Sequence, residues 1–202
     1  MPMFPLGAVL FPHMPLQLRV FEERYLIMLS QLVTAEDPRF GVVLIERGFE
    51  VGGGEQRFDV GTTATIDQLG SADGIVGLVA GGGDRFSVQS WLDDEPYPRA
   101  EVELLPELVW DDRLADQRQA TETLVRRSIA QASEFGEQRW PSDVELSEDP
   151  VAALWQLAAI APLTALDQVR LLRAGSAEDL LARVAELTRE AAVVWDSPWP
   201  EG

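Results

Sequence analysis

The chain has no cysteine, no lysine and a single histidine in 202 residues. Each absence removes chemistry. Without cysteine there is no disulfide, no thiolate metal site and no thiol nucleophile. Without lysine there is no Ser–Lys dyad, no Schiff base and no phosphate-loop lysine. His13, set between Pro12 and Met14, is the one histidine base on offer, and no GxSxG, HExxH or GxxxxGK[ST] pattern accompanies it. Carboxylates do cluster, as in Asp93–Asp94–Glu95, but 34 acidic residues against 16 arginines make such a run a solvated loop rather than an acid/base pair. No catalytic residue, metal ligand set or cofactor is assigned. A hydrolase or peptidase-like activity using Asp or Glu stands as the alternative.

Positive charge is also scarce. The net charge is −18, spread over both halves of the chain. Such a field repels phosphate backbones and anionic lipid, so neither nucleic acid nor membrane is an expected partner. Its plainer role is to keep the protein soluble. The lack of cysteine is compatible with a cytoplasmic location, which is the expectation.

What is present begins with the most apolar stretch of the sequence, FPLGAVLFPHMPLQLRVFEERY at residues 4–25. A secretory leader needs a basic start and an unbroken apolar helix. Here the first charge is Arg19, and Pro2, Pro5, Pro12 and Pro15 break any helix. No window reaches the ~18 uncharged apolar residues of a membrane span. The segment is expected to belong to the folded body.

Two halves of different periodicity follow. Up to about residue 108, short runs of β type alternate with turn residues. Leu16, Leu18 and Val20 alternate with Gln17 and Arg19, and Phe40–Ile45, Thr62–Ile66, Ile75–Val79, Arg85–Trp91 and Ala100–Leu105 supply further strands. Glycines mark the breaks at 52–54, 71–74 and 81–83. The last triplet precedes a strand rather than a helix, so a hairpin turn is expected there and not a phosphate cradle. One helix interrupts the series, with Glu22 and Glu23 at its positive end and Tyr25, Met28, Leu29 and Leu32 at helical spacing. A small mixed barrel fits this order better than a parallel α/β sheet.

From about residue 112 the period is helical. Leu124, Val125, Ile129, Ala132 and Phe135 share one face. Asp149-Pro150 reads as an N-cap with proline at the first helical position. Pro162 ends that helix, and Thr164–Asp167 and Ser176–Asp179 have capping-box form, opening two more. The expected division is a β-barrel over 1–110, a helical part over 111–196 and a flexible tail over 197–202.

In this order the motifs resemble the N-terminal substrate-binding domain of the Lon protease family. Pro12, His13 and Met14 match its PHM, and Phe21, Glu22, Arg24 and Tyr25 its FExRY variant. Val60–Ile66, with Gly61, looks like its VGTxAxI strand, and Arg85-Phe86 like its GxxRF element. Asp149-Pro150 and Gln168–Leu172 resemble the DP and QxxLL signatures of its helical part. The resemblance spans roughly residues 3–190. It implies an α+β fold, a PUA-like β-barrel with one inserted helix followed by a helical bundle. In the protease this domain precedes an AAA+ module and a Ser–Lys peptidase. This chain ends before either, so a stand-alone, non-catalytic module is expected.

On that fold Phe4–Phe11 and Met14–Phe21 are expected to pair as the first two strands, turned by Pro12 and His13 and covered on both faces. His13 has no second histidine or cysteine to share a metal, so it is read as a locally hydrogen-bonded turn residue, with ligand binding as the alternative. Arg24 is expected to pair with a carboxylate, and Tyr25 to pack with its hydroxyl on a polar partner. Pro12, His13, Phe21, Glu22, Arg24, Tyr25, Gly61 and Arg85 are thus read as structural. The function implied is recognition of unfolded or hydrophobic polypeptide segments, as an adaptor or sensor, with a protease or ATPase as a possible co-worker. Trp91, Tyr97, Trp110 and Trp140 fall at strand ends or connections near the junction of the halves. They are the candidate peptide anchors, with plain packing as the alternative for each.

Overall fold

The computed structural model describes residues 1–48, 50, 54–72, 75–134 and 140–196. The expected glycine turns at Gly52-Gly53 and at Asp73-Gly74, the placement of Phe135 and the tail over 197–202 lie outside the described residues. The chain divides into two units, Met1–Glu107 and Leu108–Gly202. The first holds a six-stranded mixed sheet and one helix, the second four α-helices among the described residues, so the protein is α+β.

In the first unit the elements run β1 (Met3–Leu6), β2 (Pro15–Val20), α1 (Glu23–Leu32), β3 (Arg39–Arg47), β4 (Gln56–Ala72), β5 (Ile75–Trp91) and β6 (Ala100–Leu104). β1 runs parallel to β3, β3 antiparallel to β4 and β4 antiparallel to β5. β5 changes partner along its length, pairing β2 through Val76–Gly81 and β6 through Phe86–Trp91. The seam is closed by the chain start. Pro2 bridges Arg99, Met3 donates its N–H to the Pro98 carbonyl, and Ala100 donates to the Met1 carbonyl. The Met1 ammonium donates back to the Ala100 carbonyl at 2.8 Å. β1, β3, β4, β5 and β6 therefore form a closed ring, and β2 lies outside it on the first half of β5.

Two expectations fail here for one reason. Residues 4–11 and 14–21 do not pair with each other: β1 finds β3 and β2 finds β5. Glycines 81–83 are not a hairpin turn but the interior of β5. The cause is the Pro12-His13 corner. His13 takes φ +60, its N–H donates to the Gly82 carbonyl, and the Gly82 N–H donates to the Met14 carbonyl. This places the Phe11 carbonyl where a Cβ on Gly82 would stand, at 2.2 Å. The corner thus docks on β5 instead of folding β2 back on β1. Glycine is there for close approach of a second backbone, not for a turn. The separate strands expected over 62–66, 75–79 and 85–91 accordingly merge into two strands of 17 residues. Nor is the opening segment covered on both faces throughout. β1 is buried at all four positions, whereas β2 alternates with its even-numbered leucines half-covered and Gln17 and Arg19 exposed.

The motif residues build this barrel. Gly61 faces the Val42 carbonyl so closely that a Cβ would sit 2.1 Å from it, with the Phe86 ring at 2.7 Å. Arg85 is buried and donates to the Pro106 carbonyl at 2.7 Å, and burial lowers its pKa from the usual guanidinium value. Tyr25, with Met28, Leu29 and Leu32, is the buried face of α1. Its ring stacks on Phe4 at 4.0 Å, nearly parallel, and Arg24 lies over it at 4.5 Å. Arg24 also donates to Glu22 and to the Glu50 carbonyl, as expected of a paired arginine. The Tyr25 hydroxyl departs from expectation. It is buried and has no hydrogen-bond partner, and burial, above all, pushes its pKa up.

The second unit opens with a 3₁₀ turn at Asp112–Leu114, followed by α2 (Ala115–Glu134), α3 (Pro150–Ile160), α4 (Ala165–Leu172) and α5 (Ala177–Asp196). α5 packs on α2, α3 and α4. α2 buries Thr121, Val125, Ser128, Ile129 and Ala132, a stripe at helical spacing that includes the expected Val125, Ile129 and Ala132; Leu124 is half-covered. α3 is buried nearly all round, as its run of alanines and leucines dictates. The caps form as read. Asp149 accepts from the Ala152 N–H at 2.7 Å, Thr164 from the Asp167 N–H and Ser176 from the Asp179 N–H.

Two measurements check these statements. Gly61→Ala should lower stability by on the order of 3 kcal/mol, since backbone and a buried ring must both move. Gly70→Ala, in the same strand with nothing within 4 Å, should be neutral or slightly stabilising, and equal denaturant midpoints for the two variants would refute the close-approach account. Tyr25→Phe should unfold at or above the wild-type midpoint, because it removes an unsatisfied buried hydroxyl. A loss of more than about 1 kcal/mol would show that the hydroxyl has a partner.

Candidate functional site

Two features of the β unit stand out as places where another molecule can bind. The first is an apolar groove between α1 and the outer end of the β4–β5 ribbon. Leu26, Leu29, Ser30 and Val33 form one wall, and Leu69, Gly70, Ser71 and Val76 the other, around about 380 Å³. α1 therefore carries two apolar faces. Tyr25, Met28 and Leu32 point into the barrel, while Leu26 and Val33, seven residues apart, share a face with Leu29 along the groove. Val33 is 58% exposed and Leu69 38% exposed, although both are large aliphatic residues. None of its described lining residues is charged.

Sequence reasoning missed this groove. The signal was there in α1, whose apolar positions are too many for one face, and in Leu69 and Val76 near the end of the ribbon. It went unread because the stripe through Tyr25, Met28, Leu29 and Leu32 already accounted for a core helix.

The second feature is a polar cleft at the opposite end of the long strands. Glu46 at the end of β3, Glu55, Gln56 and Arg57 at the start of β4, and Trp91 at the end of β5 line about 410 Å³. Arg57 organises it. Its Nε donates to Glu55 at 2.9 Å and its terminal nitrogens to Asp94, and its guanidinium lies 4.6 Å from the Trp91 ring centre. Burial works to lower the Arg57 pKa, but the hydrogen bonds to Asp94 and Glu55 outweigh it and hold the pKa above the usual value. Arg57 is a fixed positive charge.

The four expected anchors divide between the two units. Trp91 is half-buried and lines the polar cleft. Tyr97 is buried, and its hydroxyl donates to the Gln31 side chain at the end of α1, so it ties β6's approach to the helix. In the helical unit, Trp110 is half-buried and donates its indole N–H to Asp112 at 2.9 Å, and Trp140 is half-buried. Phe21, read as structural, is 59% exposed. Pro12 is buried and His13 exposed at the corner on Gly82. Among the described residues, no group of three or more His, Asp or Glu side chains is arranged to hold a metal ion. None of the described helices is long and apolar enough to cross a membrane.

Comparison with known proteins agrees with this architecture. The chain resembles a crystallised Lon N-terminal domain protein from Xanthomonas campestris, at 24% identity and TM-score 0.61, over 90% of this chain and 96% of that one. It also resembles the N-terminal domain of the Lon protease of the Mycobacterium avium complex, at 16% identity and TM-score 0.67, over 94% and 97% of the two chains. At these identities the likeness speaks for the fold. No curated protein matches the sequence. The sequence itself matches the substrate-binding domain of the ATP-dependent protease La (LON) over residues 1–190, nearly its whole length, and the chain belongs to that family.

Proposed function

We propose that this protein binds unfolded polypeptide segments by laying their apolar side chains in the groove between α1 and the end of the β4–β5 ribbon. The observation that supports this most directly is the exposure of Val33 and Leu69 on opposite walls of a groove whose described lining carries no charge, in a domain whose family is a substrate-binding one. Exposed apolar surface of this kind is costly unless something covers it. Burial contributes ~25 cal/mol per Å² of apolar area, while ordering a flexible peptide costs roughly 2–5 kcal/mol. Affinity is therefore weak to moderate, as suits a module that samples many clients.

The reading extends to a role as adaptor or sensor beside a protease or ATPase supplied by another polypeptide. The net charge of −18 supports polypeptide over nucleic acid or anionic membrane as the partner. Of the expected aromatic anchors, Trp91 and Trp110 keep part of their rings at the surface and remain available for client contacts; Tyr97 serves packing.

Two tests follow from the groove and from the residue inventory. Val33→Asp and Leu69→Asp, both at exposed positions, should each weaken binding of an unfolded apolar peptide about tenfold in fluorescence anisotropy, with thermal unfolding unchanged. Wild-type affinity in both variants would remove the groove from consideration. Purified protein should show neither ATP hydrolysis nor casein cleavage above a mock preparation. Activity that disappears when one of its own carboxylates is replaced would establish an enzyme instead.

A further inference from the structure

The polar cleft around Trp91 is incomplete in a specific way. Glu55 lines it with a side chain only 1% exposed, so this carboxylate sits at its floor. Both Arg57 nitrogens that reach Glu55 contact the same oxygen, Oε1, at 2.9 and 2.8 Å. The other oxygen, Oε2, is buried with no hydrogen-bond partner. A buried carboxylate oxygen without a donor is costly, and native structures rarely leave one. The charges are unbalanced in the same sense. Glu46 and Glu55 line the cleft and Asp94 pairs with Arg57, the one cation among its described lining residues. Among the described residues the cleft thus has spare acceptors, spare negative charge and an aromatic ring, and no second cation with several N–H donors.

We infer that this cleft receives a basic side chain, an arginine in preference to a lysine, from the polypeptide segment that the protein binds. A guanidinium carries five donors in a planar fork. It can therefore donate to Glu55 Oε2 at the floor and to the exposed Glu46 at the rim at once, while its flat face meets the indole of Trp91. An ammonium supplies the charge but neither the planarity nor the fork. The volume of about 410 Å³ accommodates a long side chain and its head group. The cleft and the apolar groove would then read different features of a client, one basic residue and one apolar stretch.

This inference rests on the polypeptide-binding reading, and the experiment separates the two. The probes are N-acetyl-arginine amide, its lysine counterpart and the uncharged isostere N-acetyl-citrulline amide, titrated while the Trp91 indole N–H is followed by NMR. The arginine amide should shift that signal with saturation, the lysine amide more weakly and the citrulline amide not at all. In parallel, an unfolded apolar peptide with one arginine should bind about tenfold tighter than the same peptide with citrulline. That preference should fall below about twofold in Glu46→Gln and in Glu55→Gln at constant salt. Glu46 is exposed, so its variant keeps the test valid if Glu55→Gln fails to fold. Peptides that bind equally well with arginine or citrulline would overturn the cleft and leave the groove standing. An arginine amide that shifts Trp91 in wild type and not in Glu46→Gln, with no peptide bound at all, would keep the cleft as a cation site and overturn the polypeptide reading. A shift that survives both glutamine variants would overturn the cleft.

Discussion

The barrel depends on backbones that approach closer than side chains permit. β4 and β5, each 17 residues long, cannot both lie flat and close a ring of so few strands. They bend, with register shifts at Thr62/Ala64 and Ile66/Gln68 in β4 and at Val88/Ser90 in β5. The bend brings Val42 against Gly61 and Phe11 against Gly82, two contacts that exclude even a methyl group. Once those are made, the first half of β5 is free to carry β2 and the second half to carry β6. The groove and the cleft then fall at opposite ends of the same two strands, one apolar and one ionic.

The sequence made the class of fold legible because its two signals do not compete. Period-2 runs before residue 108 and period-3.6 runs after it leave few alternatives, and the caps at Asp149, Thr164 and Ser176 depend on neighbours three residues away. Pairing was less legible. Whether residues 4–11 meet 14–21 or 41–44 is decided by a corner docked on Gly82, some 70 positions downstream, and glycine looks the same in a turn as under a crossing backbone. The groove and the cleft were least legible. Leu26 and Val33 were hidden behind a better core stripe on their own helix. Glu55 and Glu46 were two of 34 acids, and only geometry shows that one of them ends with an unmatched oxygen. Trp91, one of the four expected anchors, lines the polar cleft, and it does so beside an arginine that no local pattern linked to it.

The groove and the cleft also differ in what they demand of the fold. The groove is a surface of α1 and a ribbon end, so its exposed lining residues Val33 and Leu69 can vary at less cost to stability than the buried Leu29 beneath them. The cleft is built on Arg57, whose carboxylate partners Glu55 and Asp94 and aromatic neighbour Trp91 come from or adjoin both strands at one end of the β4–β5 pair. Changes there bear directly on the integrity of the barrel end.

The seam at Met1, Pro2 and Met3 has a consequence for how the protein is made. β1 is completed by Pro98, Arg99 and Ala100, which leave the ribosome about a hundred residues after it. Until then the most apolar segment of the chain has β3 as its only ring neighbour and an unclosed edge on the other side. At elongation rates of roughly 5–20 residues per second, that is several seconds of exposure. The acidic residues distributed through the intervening hundred positions give the emerging segment the same sign of charge in every copy, which disfavours association over that interval.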